Sequence, residues 1–134
     1  MAGKKAACPC GSKPKLIFPC SGASDVGEIA DRAARKMTGD GAGKMYCLAG
    51  IGGRVSGIMA STAAADVILA IDGCAHDCAR NTLEQAGFRG FLHLRLSDIG
   101  LAKGKTPATE ERVAAVAAKG AEKLAGKTGG CCGG

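Results

Sequence analysis

The chain has no tryptophan, one tyrosine and three phenylalanines, an aromatic content of 3%. Recognition of single-stranded nucleic acid by base stacking needs aromatic platforms, so that mode has almost nothing to work with here. No run approaches the ~18 apolar residues that a membrane-spanning helix requires. The first residues carry lysines but no apolar core before Pro9. They do not form a secretory signal, and the expected location is cytoplasmic. Dense stripes of one charge are also missing. The net charge is +6, with lysines gathered at the two ends (Lys4, Lys5, Lys13 and Lys15, then Lys103, Lys105, Lys119, Lys123 and Lys127). The stretch between is nearly balanced. The excess therefore reads as solvated surface rather than as a nucleic-acid face. Glycine is abundant, 22 residues in 134, but without a Gly-X-Y period, which excludes a collagen-like chain.

What remains is an ordinary globular composition, 46% hydrophobic and 22% charged, in a chain of one domain's length. Residues 1–14 read as a flexible, cysteine-containing arm, 15–125 as an α/β domain, and 126–134 as a flexible Gly/Cys tail. Leu16–Phe18 is a short apolar run closed by Pro19, which fits a strand end. Asp25 followed by Glu28 looks like a helix start, and Ile29, Ala30, Ala33, Ala34 and Met37 recur at helical spacing. Met45–Ala49 reads as a second strand, Gly50–Gly53 as a turn, and 54–65 as a weak helix. Val67–Ile71 is continuously apolar, the mark of a strand covered on both faces. A helix from about Asp77 to Ala86 follows. Phe91–Leu96 alternates as an edge strand would, with Leu92, Leu94 and Leu96 inward and His93 and Arg95 outward. Thr106–Pro107 opens a last helix that runs to about Leu124. Strand–helix units in series predict a three-layer α/β fold with a four-stranded, mostly parallel sheet. The two most apolar strands belong in the centre, which gives the order 2-1-3-4 of Rossmann-like and flavodoxin-like sheets.

Cysteine is the unusual component, with eight in the chain. In a cytoplasmic protein they point to metal binding or thiol chemistry rather than to a disulfide framework. Cys20, Cys47 and Cys74 recur every 27 residues, one strand–helix unit per step. Each is expected at the carboxyl end of a strand, beside the switch point where open α/β sheets bind ligands. Cys78 lies one helical turn beyond Cys74, on the same helix face. Four thiols at one rim suit a soft cation in tetrahedral geometry, which means zinc or an iron–sulfur cluster. Buried structural cysteines are the plainer alternative. Asp72 and His76 are candidates to orient the ligands of such a site from behind without binding the ion, with Asp72 alternatively a general base. Arg54 and Arg80 flank it, and His93 reads as a surface strand position.

Four segments carry a resemblance: LIFPCSGASDVGEIADRAARKM, Cys47–Arg54, IDGCAHDCARNTLEQAGF and HLRLSDIGLAKG. Over about residues 14–120 the chain resembles the DGC family of proposed zinc-binding proteins, named for the triplet that is Asp72–Gly73–Cys74 here. The resemblance implies four zinc-holding cysteines, which match Cys20, Cys47, Cys74 and Cys78. It implies no particular reaction, and no role passes to His76.

Other chemistries lack their residues. A phosphatase of the low-molecular-weight kind needs arginine six positions after its cysteine, where this chain has Val26. Gly22–Gly27 is followed by Glu28 rather than by the Lys of a phosphate loop, and the dinucleotide fingerprint fails at Val55. Cys8–Pro9–Cys10 resembles the opening of the short SEC-C zinc motif, without that motif's continuation. Together with Cys131 and Cys132 these residues are candidates for a second thiolate site, for metal-scavenging arms or for plain reactive tails. Four thiolates saturate an ion, which points away from catalysis and towards metal sensing, storage or transfer. A redox enzyme cycling Cys20 and Cys74, and an iron–sulfur protein, are the alternatives. A metal ion is the expected partner, and neither membrane nor nucleic acid is.

Overall fold

The computed structural model describes residues 13–126. The candidate second site, Cys8, Cys10, Cys131 and Cys132, lies outside these residues. Four strands, β1 (Lys15–Pro19), β2 (Lys44–Met45), β3 (Val67–Asp72) and β4 (Leu92–Arg95), form one sheet in the order β2-β1-β3-β4. All three pairings are parallel, with Lys15 opposite Val67 and Pro19 opposite Ile71 along the central pair. The fold is the expected three-layer α/β arrangement with β1 and β3 central.

Side chains alternate across the strands and create two cores. Ile17, Leu69, Ile71 and Leu94 meet α1 (Asp25–Gly39) and α5 (Glu110–Ala125) on one face. On the other, Leu16, Phe18 and Ala70 meet α2 (Leu48–Gly52), α3 (Ser56–Ala63) and α4 (Cys78–Gln85). Each helix runs back along the sheet, so the strand-to-helix loops collect at the carboxyl rim.

Several boundaries differ from the sequence reading, each for a local physical reason. The second strand is only Lys44–Met45, and the expected strand end and turn are helix α2. The Cys47 sulfur caps that helix, accepting the Gly50 N–H at 3.3 Å, and a short apolar run suits helix and strand equally. The N-cap of α1 is Ser24, whose hydroxyl accepts the Gly27 N–H; Asp25 is one residue inside. The N-cap of α5 is Thr109, not Thr106. Thr106 is buried and donates its N–H to Asp25. β4 ends at Arg95, and Leu96–Ile99 forms a 3-10 turn. Among the described residues no helix is long and apolar enough to cross a membrane.

Candidate functional site at the carboxyl rim

Cys20 directly follows β1, and its N–H donates to the Ile71 carbonyl at 2.9 Å. That bond ties the first turn to the end of β3, two residues short of Gly73. Gly73 is there for want of room. A Cβ on it would stand 2.7 Å from the Val26 side chain and 2.9 Å from its backbone. The missing side chain lets the β3–α4 loop close against the start of α1, which brings Cys74 beside the turn that carries Cys20. Both cysteines are half-buried and pack against the core.

Cys74 is not on the same helix as Cys78, contrary to the helical-face argument. The segment between them is a turn in which the Asp77 N–H bonds the Cys74 carbonyl at 3.2 Å, and α4 begins at Cys78. Cys20 and Cys74 are near enough to Cys78 to act on it all the same. The Cys78 thiol is pushed above its ordinary pKa by loss of solvent around it, then by the negative charge of Asp72, Cys20 and Cys74; Lys103 acts in the opposite sense. Cys47 stands apart from this group. It is exposed, lies two residues beyond β2 on the far flank of β1, and serves as the cap of α2. It is not among the charges that act on Cys78.

Among the described residues, the ligand atoms of Asp72, Asp77 and His93 lie within 4.8 Å of one another, close enough to hold a metal ion. Among the described residues no three cysteine sulfurs come this close. The carboxylates of this group already have partners. Asp72 accepts the Ala79 N–H at 2.7 Å and the Arg80 N–H at 3.1 Å, and lies 2.8 Å from His93 Nε2. It thereby caps α4 from the end of β3. Asp77 receives the guanidinium of Arg95 in a two-pronged bond, 2.8 Å from Nε and 2.5 Å from Nη2. Hydrogen bonding and charge from Arg95 hold the Asp77 carboxyl below the usual carboxylate range, and Asp77 in turn holds the Arg95 pKa up.

Two sequence expectations change here. His93 is not a plain surface position: its side chain is 21% exposed and bonded to Asp72. Arg54 does not flank the rim; its guanidinium binds the carbonyls of Ile51 and Gln85, joining α2 to the end of α4. Arg80 stays near the rim, paired with Glu84 and, at 3.8 Å, with Asp77. His76 is exposed, and its carbonyl accepts from the Asn81 side chain. The alternation of β4 did signal that His93 and Arg95 share a face. Their partners lie in another strand–helix unit, beyond what local pattern reveals.

Asp25 closes the rim on its remaining side. Its carboxylate accepts the N–H groups of Gly104 and Thr106, both at 2.9 Å. These bonds, the Gly104 one foremost, keep its carboxyl below the ordinary range. They also fix the loop that carries Lys103, whose positive charge acts on Cys78.

With this geometry, the glycine of the Asp-Gly-Cys triplet has a structural reason and the aspartate a structural role. The model of the DGC domain matches residues 16–119. The chain belongs to the DGC-domain family. A relative of 35% identity over 88 residues, covering 66% of this chain and 67% of its own, is the anaerobic and virulence modulator AnvM of Pseudomonas aeruginosa. No solved structure matches the chain. For a soft metal ion, the donors present at the DGC rim suit the chemistry: Cys20, Cys74 and Cys78 bring three polarizable sulfurs from two loops into one negative neighbourhood.

Proposed function

We propose that this DGC-domain protein binds zinc at the carboxyl rim through Cys20, Cys74 and Cys78, with Cys47 as the fourth ligand, and uses the site for metal sensing, storage or transfer. Membership in the family and the likeness to AnvM support a metal-binding or regulatory role. One observation carries the finer reading. Asp72, Cys20 and Cys74 all lie near enough to Cys78 for their charge to act on its thiol, so ionising the thiols builds up negative charge that a bound cation would relieve. The two cores fold the domain around a sheet of its own, so the ion is not needed to create a core. Its place at a ligand-binding rim then favours a functional use over a structural one. Cys47 and Cys78 are exposed, so rotamer changes are open to their side chains, and ligation by Cys47 would replace its bond from the Gly50 N–H. Zinc would act there as a thiolate-bound centre with no free position, which suits a sensor or carrier better than a hydrolase.

Metal analysis of protein purified without oxygen is the test. About one zinc per chain in a colourless protein, abolished by Cys74→Ser or Cys78→Ser, is the expected result. A brown protein with a broad visible band would replace zinc with an iron–sulfur cluster. A metal-free protein whose Cys20 and Cys74 form a disulfide on mild oxidation would replace it with thiol–disulfide chemistry.

A further inference from the structure

We propose that β4 is the positioning element of the thiol rim: Arg95 and His93, by holding Asp77 and Asp72, set where Cys78 stands relative to Cys74 and Cys20. The proposal rests on the zinc reading for its purpose, though the positioning itself concerns the protein alone. β4 is an edge strand, and Leu94 already anchors it to the α1/α5 core. Its opposite face carries His93 and Arg95, whose side chains are only 21% and 26% exposed. Packing of the strand does not explain two basic groups there. Their partners do.

Asp77 is the residue immediately before Cys78, and its backbone is left-handed, with φ of 53°. A residue other than glycine adopts that conformation at a cost and keeps it only when its surroundings insist. It occupies the N-cap position of α4 yet makes no capping bond. Both of its oxygens go to Arg95. The cap is supplied instead by Asp72, which holds the Ala79 and Arg80 N–H groups. Asp72 is itself held by His93 Nε2 at 2.8 Å. The turn from Cys74 to Cys78 is thus clamped at its end and at its base. Both clamps come from one strand that contributes no thiol. Arginine suits the first clamp because its planar fork meets both carboxylate oxygens at once, which lysine cannot do.

The full chain tests this. Zinc affinity is read by competition with a chromophoric chelator, and Cys78 alkylation by iodoacetamide is followed by mass spectrometry in the metal-free protein. Circular dichroism checks the fold of each variant. Arg95→Met should weaken zinc binding roughly 10–100-fold, the usual effect of losing a residue that orients a ligand. Arg95→Lys should fall in between, and His93→Gln, which keeps a hydrogen bond to Asp72, should lose least. Alkylation of Cys78 should change in rate in Arg95→Met while that of Cys47 does not. Adding Asp77→Gly to Arg95→Met removes the stranded carboxylate and supplies a residue at ease in the left-handed turn. Part of the lost affinity should return, and this pair also stands in if Arg95→Met alone fails to fold.

Folded Arg95→Met with zinc affinity and Cys78 alkylation both within twofold of the native protein would overturn the proposal. For the folded pair, no gain in affinity over Arg95→Met would do so, or, where that single variant does not fold, an alkylation rate of Cys78 equal to the native one. Cys78→Ser separates the two readings. If it retains native zinc affinity, the zinc site is wrong, and the alkylation rates alone then decide for or against the hold of β4 on Cys78.

Discussion

The two faces of the sheet are built differently. On one, α1 and α5 are 15 and 16 residues long and enclose a continuous core that includes Met37, Leu69, Ile71, Val116 and Leu124. On the other, α2, α3 and α4 have 5, 8 and 8 residues, and α3 fully buries only Thr62. The long-helix face closes a large apolar volume with side chains alone. The short-helix face meets the sheet through fewer large groups, chiefly Phe18, Ile51 and Leu83, and gives its upper end to ion pairs and hydrogen bonds. Stability is concentrated on one side, and the polar rim is assembled where the other side's helices begin.

Substitutions on the two faces put that contrast at risk. Leu69→Ala, in the α1/α5 core, should cost about 2–5 kcal/mol in urea denaturation. Met59→Ala, half-buried on α3, should cost clearly less; equal losses would erase the distinction between the faces. Gly73→Ala should cost about 1–3 kcal/mol, because the new methyl meets the Val26 backbone as well as its side chain. A neutral result would mean that the close approach of loop and helix is not required. Ser24→Ala should cost about 1 kcal/mol, the worth of an N-cap.

Acid should produce the smallest graded effect, and it comes from the rim. Asp25 and Asp77 both have folded pKa values below the ordinary carboxylate range. Their contribution is therefore complete above the unfolded aspartate value of about 3.9 and is lost as pH falls through the lower folded values. Urea midpoints of the metal-free protein should be level from pH 7 to about pH 5 and decline below about pH 4. Asp77→Asn should flatten part of that decline. A decline already under way at pH 6 would point to other groups.

The architecture was legible because its signals are local. Val67–Ile71 is apolar throughout and sits in the centre; the short crossovers then left the order 2-1-3-4 as the natural one. Where the reading slipped, a distant partner or an ambiguous run decided. Tyr46–Ala49 is too short for periodicity to separate strand from helix. Thr106–Pro107 is a sound helix-start pattern, but Thr106 was claimed by Asp25, 81 residues earlier in the chain. Cys20 and Cys74 were placed by their strand ends. Cys47 also follows its strand end, two residues beyond β2, but its sulfur is engaged in capping α2, which no strand pattern encodes. His93 and Arg95 were correctly assigned to one face of β4. That face meets Asp72 and Asp77 rather than water, and no pattern within the strand encodes this.

The bond from Asp25 to Gly104 and Thr106 has a reach beyond its own turn. It buttons the opening helix to the segment leading into the closing one, at the thiol end of the sheet and not at its base. Severing the chain between Leu101 and Lys105 with a protease would unfasten that button while leaving all four strands intact. The charge of Lys103 would no longer be held where it acts on Cys78, so that thiol would register a break made in a part of the chain that holds no cysteine.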